Sequence, residues 1–217
     1  MLEISGYYSL GIQFITGLID MFGLLIKVPD NKLIFRDLLK VELGVQSIEF
    51  VFYMWMIYNF KNIKNITPYR YLDWFITTPI MLITFMAYLD NNNYTNINNF
   101  VIDNKNFIIK ITFLNFLMLL FGLFGELNVL PYILAIFIGF IPFLYYFYLI
   151  YDKYYNNKEI SQDKKFVFWF FFIFWSLYGI SALMKYKTKN IMYNILDLFS
   201  KNGFGLFLVY ILWKNRI

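Results

Sequence analysis

Seven mostly apolar stretches follow one another along this chain, and they limit its fold more than any other feature. A helix needs about 20 mostly apolar residues to cross the hydrocarbon core of a bilayer. Because that core offers no water to backbone N–H and C=O groups, such segments are predicted to be α-helices. The predicted spans are residues 5–26, 33–59, 68–89, 106–126, 130–151, 165–184 and 189–213.

The composition supports a polytopic membrane protein. Of the 217 residues, 60% are hydrophobic, whereas an average soluble domain is about 45–50% apolar. Short polar linkers join the spans, so residues 1–217 are predicted to form one domain. The chain contains neither Cys nor His, which excludes disulfides, cysteine nucleophiles and the usual zinc sites. We expect neither a metal site nor an enzyme.

The basic residues predict the orientation of the bundle. The start, MLEISGYY, lacks a basic signal region, so the first span is expected to insert as it stands. Inner loops carry an excess of Lys and Arg, and nine basic residues against five favour an outer N-terminus and an inner C-terminus. The inner nine are Lys27, Lys32, Lys105, Lys153, Lys158, Lys164, Lys165, Lys214 and Arg216, and the outer five are Lys61, Lys64, Lys185, Lys187 and Lys189. These charges therefore indicate topology and not a nucleic-acid partner.

Two linkers have a distinct composition. The linker DNNNYTNINNFVIDNK, between the third and fourth spans, is rich in Asn and is predicted to be a flexible loop. The linker GELN is predicted to make a tight turn between the fourth and fifth spans.

The seventh span carries charged residues near its centre. It contains NILDLFSKNGFGLFLVYILW, in which Asp197 and Lys201 are one helical turn apart. A charged side chain at the centre of a membrane helix costs about 2.5–3.5 kcal/mol on insertion scales and usually lines a cavity or a relay. An ion pair that only neutralises itself is one explanation. A second explanation requires a partner from another span.

The third span supplies a second carboxylate and an arginine. It begins YRYLDWFITTPIMLITF, where Asp73 and Thr77 share one helix face and Arg70 lies near the outer end. Asp197 also lies on the outer side of Lys201, so two carboxylates can flank one lysine nitrogen. Two anions suit a permanent cation, such as a protonated Schiff base, better than a neutral buried pair.

The stretches RYLDWFITTP and DLFSKNGFG together resemble motifs of the microbial rhodopsins, the family of bacteriorhodopsin, and the resemblance covers all seven spans in order. It implies an all-α seven-transmembrane helix bundle. It also implies that Lys201 binds all-trans retinal as a protonated Schiff base. By the same resemblance, Asp73 is the proton acceptor and primary counterion, Asp197 is the second counterion, and Arg70 is the outer gate.

The resemblance further implies the walls of a retinal pocket. Trp175 and Tyr178, in FWSLYG, resemble the aromatic residues that face the ring, and Trp74 resembles the aromatic on the other face of the chromophore. The other expected pocket residues are Thr77, Thr78, Asn115, Met118 and Gly122. In the family, the positions of Thr78 and Asn115 meet near the retinal and couple its shape to the third span.

Departures from the family pattern carry information as well. Gly179 stands where the family often has proline, and Ala182 stands where it usually has tryptophan, so we expect a looser pocket on this side. Thr84 stands where an outward proton pump usually places its donor carboxylate. The chloride and sodium pumps of the family do not fit, because both replace the carboxylate that Asp73 retains.

Polar residues recur at helical spacing along three spans. They are Ser9, Gln13, Thr16 and Asp20 in the first, Glu42, Gln46, Glu49 and Tyr53 in the second, and Asn190, Asn194, Asp197 and Lys201 in the seventh. Exposure of these stripes to lipid would be very costly, so they are predicted to face inward. Together with the third span they could line a hydrated path whose carboxylates suit cations.

Three interpretations of the acids on the second span remain open. Glu42 and Glu49 lie about 10 Å apart along a helix and could be successive stations for cations. In that case the retinal band should hardly depend on Glu49. Alternatively, Glu42 is a displaced proton donor, or the polar residues only hold the helices together.

The chain also resembles a subgroup of viral rhodopsins with acids on the second span, short loops and Thr at the donor position. Members of that subgroup are light-gated cation channels, and a sister subgroup behaves more like proton pumps. We therefore expect a light-gated cation channel, with an outward proton pump, a sensory photoreceptor and a small non-retinal transporter as alternatives. The expected partners are the lipid bilayer, transported cations or protons, and further copies of the chain, in a plasma or host-cell membrane.

Overall fold

The computed structural model describes residues 1–156 and 160–217, and the predicted inner-loop residue Lys158 lies outside this part of the chain. The described residues are helical, without a β-strand. The helices are α1 (Leu2–Gly23), α2 (Leu33–Asn59), α3 (Thr67–Leu89), α4 (Ile97–Asp103), α5 (Lys105–Glu126), α6 (Tyr132–Tyr154), α7 (Gln162–Ala182), α8 (Tyr186–Asp197) and α9 (Gly203–Lys214). A 3-10 turn (Asp30–Lys32) precedes α2, and a π-helical turn (Leu198–Asn202) joins α8 to α9. The seven predicted spans are confirmed as helices, the seventh being the continuous segment from α8 to α9.

The helices differ in how apolar they are. Among the described residues, five helical segments are long and apolar enough to cross a membrane, namely α3, α5, α6, α7 and the combined segment Tyr186–Lys214. The first two helices are not in this set, although their 22 and 27 residues correspond to roughly 33 and 40 Å of helix. Polar side chains on their inward faces make both helices less apolar.

The linker between α3 and α5 is not simply a flexible loop, so that prediction was wrong. It contains α4, whose N-cap residue Asn96 accepts a hydrogen bond from the backbone N–H of Asn99 at 2.9 Å. Phe100 on α4 is fully buried in the core. The capping bond and this one anchor offset the low helical propensity of the many Asn residues. The predicted tight turn after α5 is present, and Asn128 adopts a left-handed φ of 57° there.

The predicted inward orientation of the polar stripes is confirmed. Every member of the three stripes on α1, α2 and the seventh helix is buried, with at most 6% of its surface exposed. The packing of the helices explains this arrangement, because α2 lies against α1, α3 and α9, and α1 lies against α8 and α9. The apolar faces of these helices, including Phe14, Ile15 and Met54, point outward, where lipid would replace water.

Candidate functional site

Lys201 lies at the centre of the bundle with three carboxylates around its nitrogen. The side chain is 2% exposed and belongs to the π-helical turn, a distortion that is frequent at functional sites. Its Nζ lies 2.5 Å from Asp73 Oδ2 and 3.7 Å from Asp197 Oδ1. The structure thus brings together the lysine and the two acids that the sequence motifs indicated.

The third carboxylate belongs to Glu49, which was predicted to be a station for cations along a hydrated path. Glu49 Oε1 lies 4.0 Å from Lys201 Nζ, and the residue is fully buried. The two proposed stations on α2 are therefore not equivalent, because one of them faces the lysine directly. The retinal band was expected to be nearly insensitive to Glu49, whereas a charged carboxylate at this distance would interact with a cation at the lysine nitrogen.

Asp73 and Asp197 have different environments. Asp197 accepts hydrogen bonds at 2.7 Å from the phenol groups of Tyr53 and Tyr178, and its Oδ2 pairs with Arg70 Nη1 at 3.2 Å. Asp73 contacts Lys201 through Oδ2, whereas its Oδ1 has no hydrogen-bond partner among the described residues. Asp197 is therefore held by three donors, whereas one carboxylate oxygen of Asp73 has no donor within the described part of the chain.

Arg70 is buried on the outer side of this cluster. Its guanidinium donates to the side chains of Asn190, at 3.0 Å, and Asn194. It also lies over the rings of Tyr53 and Tyr193, with centroid distances of 5.6 and 5.7 Å. Arg70 was expected to be the outer gate, and its ion pair here is with Asp197.

A cavity with Lys201 in its lining lies between α3, α5, α6 and α7. Seven of the expected pocket residues line it, namely Trp74, Thr78, Met118, Gly122, Trp175, Tyr178 and Lys201. Thr77 and Asn115 do not. The Thr77 hydroxyl donates to the backbone carbonyl of Asp73 at 2.9 Å, and Asn115 Nδ2 donates to Thr78 Oγ1 at 2.7 Å. The expected contact between positions 78 and 115 is therefore present, although Asn115 does not itself line the cavity.

The cavity suits an apolar group bound at Lys201, which is part of its lining. Trp74 packs edge-on against Tyr178 at 5.6 Å between ring centroids and forms part of a largely apolar lining. Beside Gly179, the ring of Phe140 takes the place that a larger residue at position 179 would need. At Gly179 the wall that was expected to be loose is thus filled from α6. No fixed charge other than Lys201 lines the cavity within the described residues.

A fourth buried carboxyl group, that of Glu42, lies on the inner side of Lys201. Glu42 on α2 is fully buried and accepts a hydrogen bond from the hydroxyl of Thr84 on α3. Thr84 thus occupies the expected donor position, and the carboxyl group that meets it comes from the neighbouring helix. Glu42 Oε2 has no partner among the described residues.

Several residues at the site had no predicted role. Tyr71, Phe140 and Tyr193 line the cavity, and Tyr53 holds Asp197. The inward position of Tyr53 was predicted, because it belongs to a polar stripe. The cavity-lining aromatic residues were not predicted, because aromatic residues are so common in this chain that their presence does not identify a pocket. At the outer end, Lys189 pairs with Glu126 at 2.7 Å.

Comparisons with known proteins agree with this geometry. The sequence model of the family described as "Bacteriorhodopsin-like protein" matches residues 3–215. The crystal structure of viral rhodopsin OLPVRII is similar, with a TM-score of 0.87, 26% identity and 98% of each chain covered. The blue light-absorbing proteorhodopsin from Med12 has a TM-score of 0.77, 22% identity, and coverage of 98% of this chain and 97% of that one.

The thermophilic rhodopsin from Rubrobacter xylanophilus shares the fold, with a TM-score of 0.77, 20% identity, and coverage of 97% of this chain and 95% of that one. A search of curated proteins finds no match. The match of the family model to nearly the whole chain shows that this protein belongs to the bacteriorhodopsin-like family of microbial rhodopsins.

Proposed function

We propose that the chain is a light-gated cation channel whose retinal is bound to Lys201. The family implies a retinal chromophore, and the cavity that ends at the only charge in its described lining supports attachment at this lysine. Retinal bound there supplies light absorption and a change of shape. The chain holds the resulting cation with Asp73, Asp197 and Glu49, which lie 2.5, 3.7 and 4.0 Å from Lys201 Nζ.

The observation that carries the channel proposal is a row of buried polar side chains between α1, α2 and the seventh helix. We call it the polar seam, and its members are Ser9, Gln13, Thr16, Asp20, Gln46, Glu49, Asn194 and Asn202. From its outer end inward, Ser9 donates to the backbone carbonyl of Asn194 at 3.3 Å, and Gln13 Nε2 donates to Ser9 and Glu49, both at 3.2 Å. The seam thus runs past the lysine on the side opposite the cavity.

The inner half of the seam continues from the seventh helix to α1 and α2. Asn202 Nδ2 donates to Thr16 Oγ1 at 2.9 Å, and Gln46 Nε2 donates to Asp20 Oδ2 at 2.6 Å. Oxygens of five seam residues have no donor among the described residues, namely those of Gln13, Asp20, Gln46, Glu49 and Asn202. Buried acceptors without donors are rare and costly. A row of such acceptor oxygens is suited to a hydrated path, because water molecules can donate to them.

The charges along this path favour cations. Around Lys201 and along the seam, the buried carboxyl groups are those of Asp20, Glu42, Glu49, Asp73 and Asp197, and the buried cationic side chains are Arg70 and Lys201. Polar residues that only held helices together would not need an excess of acids, because unpaired buried carboxylates are expensive. Acids that line a pore, in contrast, select cations.

A voltage-clamp measurement under light tests the proposal. The channel predicts a current that reverses when the cation gradient is reversed, and a strong loss of current in the double variant Glu42→Gln with Glu49→Gln. The variant Glu3→Gln, which changes an exposed acid near the start of α1, should conduct normally. A current that stays outward at every accessible voltage would overturn the channel.

The hydrogen bond between Thr84 and Glu42 favours an outward proton pump as the second candidate. In a pump, Glu42 would return a proton to the Lys201 nitrogen after Asp73 has accepted one. Glu42→Gln should then slow this return severalfold, and external azide, a mobile proton carrier, should restore it. Normal return kinetics in Glu42→Gln exclude the donor role. In either case the protein acts in a plasma or host-cell membrane, where further copies could assemble with it.

A further inference from the structure

Asp20 is a buried carboxylate for which the described part of the chain provides no cationic partner. It is fully buried at the inner end of the polar seam, and none of the ion pairs among the described residues includes it. Its Oδ2 accepts the hydrogen bond from Gln46, and its Oδ1 has no partner there. Burial of an unpaired carboxylate is very costly. Asp20 must therefore carry a proton or bind a cation.

Two amide oxygens close to Asp20 are likewise without donors. Gln46 and Asn202 are 3% and 1% exposed, and the side-chain oxygens of both lack partners among the described residues. The nitrogen of each amide is already used, since Gln46 donates to Asp20 and Asn202 donates to Thr16. These hydrogen bonds fix the amides so that their oxygens remain available as ligands.

The close approach of α9 brings these groups together. A side chain at Gly205 would collide with the Asp20 carboxylate and the Gln46 amide, so only glycine allows both to reach the surface of α9. Asn202 lies three residues before Gly205, and its partner Thr16 lies four residues before Asp20. Residues at these spacings are neighbours on a helix face, so Asn202 lies within about one turn of the carboxylate.

From these contacts we propose that Asp20, Gln46 and Asn202 form a binding site for a monovalent metal cation such as Na⁺. One carboxylate and two amide oxygens supply hard oxygen ligands and neutralise a single charge. The described residues contain no group of three or more acidic side chains arranged for a metal ion, which disfavours the more highly charged ligand set of a calcium site. The site rests on the proposed channel for its role in conduction, but binding in the dark can be tested without transport.

The first test measures thermal stability of the purified, retinal-bound protein in the dark. A ligand that binds only the folded state raises Tm, and above its Kd the rise continues with the logarithm of the ligand concentration. We expect Tm to rise when N-methylglucamine chloride is replaced by NaCl at equal ionic strength and pH. Asp20→Asn should abolish this dependence, and Asp37→Asn, which removes a partly exposed carboxylate at the same end of the bundle, should keep it. A wild-type Tm that does not depend on Na⁺, or an equal dependence in Asp20→Asn, overturns the site.

The second test needs no variant and therefore remains decisive if Asp20→Asn does not fold. Infrared spectra of wild-type protein with isotope-labelled Asp should lose the C=O signal of a protonated aspartic acid as Na⁺ is added. An unchanged Asp signal at saturating Na⁺ refutes cation binding by this carboxylate. A protein that pumps protons but shows the Na⁺ dependence would keep this site and lose the channel. A conducting protein whose Tm and Asp signal ignore Na⁺ would lose the site alone.

Discussion

The most informative single change is Glu49→Gln. The substitution removes a charge and keeps the shape of the side chain, and its amide oxygen can still accept the hydrogen bond that Gln13 Nε2 donates to Glu49 at 3.2 Å. The change therefore tests the electrostatic role of Glu49 with little disturbance of packing. Glu49 was expected to be a station in an ion path with little effect on the retinal band, whereas its position beside Lys201 predicts a clear effect.

The magnitude follows from the distance of 4.0 Å between Glu49 Oε1 and Lys201 Nζ. Two unit charges at that separation interact with about 4 kcal/mol at an effective dielectric constant of 20. Excitation of the bound chromophore moves positive charge away from this nitrogen, so the anion stabilises the ground state more than the excited state. Loss of the anion should lower the transition energy by some fraction of this interaction, and the absorption band should shift to the red.

The assay is the visible spectrum of the purified protein at neutral pH, with Glu3→Gln as the matched control. We expect a red shift in Glu49→Gln and no shift in the control, because Glu3 is exposed near the start of α1. An unchanged band in Glu49→Gln would show that Glu49 carries no charge in the dark. In that case the description of Glu49 as a third counterion is wrong, and its role is confined to the polar seam.

Three further substitutions test the remainder of the site. Lys201→Ala should give a folded but colourless protein. Lys40→Ala, which changes a lysine whose side chain is 57% exposed, should keep its colour. Covalent retinal in Lys201→Ala would refute the attachment site. Asp73→Asn should shift the band further to the red than Glu49→Gln does, because the Asp73 carboxylate lies 2.5 Å from Lys201 Nζ. An unchanged band would leave Asp197 as the sole counterion. Asn115→Ala removes the 2.7 Å hydrogen bond to Thr78, which is worth about 0.5–1.5 kcal/mol. The rate of photocycle decay should therefore change by up to roughly tenfold. Unchanged kinetics would show that the retinal is not coupled to α3 through this bond.

The direction of each polar stripe could be predicted from the sequence, because lipid penalises polar groups strongly and a helical period assigns them to one face. The relative height of the residues in two neighbouring stripes, measured along the helix axes, could not be predicted in this way. Whether Glu49 or Glu42 lies level with Lys201 depends on how far α2 is displaced along its axis relative to the seventh helix. That displacement is set by packing, including the close approach at Gly205, and not by periodicity.

The sequence also did not predict which of the two carboxylates pairs with Arg70. The motifs placed Arg70 outside both carboxylates, but its pairing with Asp197 depends also on Tyr53, which comes from α2, and on Asn194, which lies on the same helix as Asp197. The short helix α4 was missed for a related reason. Its composition favours a loop, and it is held by the burial of Phe100, a contact with residues distant in sequence.

The inner end of the polar seam decides how the two proposed functions differ. Beyond Asp20 the seam is closed, because α1, α2 and α9 meet so tightly that a side chain at Gly23 would lie 2.6 Å from Val209 and 3.1 Å from Leu39. A proton needs only a carboxyl group such as Glu42 and transient water to pass such an apolar closure. A metal cation needs several oxygen ligands throughout, so its passage requires α1, α2 and α9 to separate at this point. Conduction and pumping can therefore use the same acids and the same lysine, and the movement of these three helices at Gly23 is what distinguishes them.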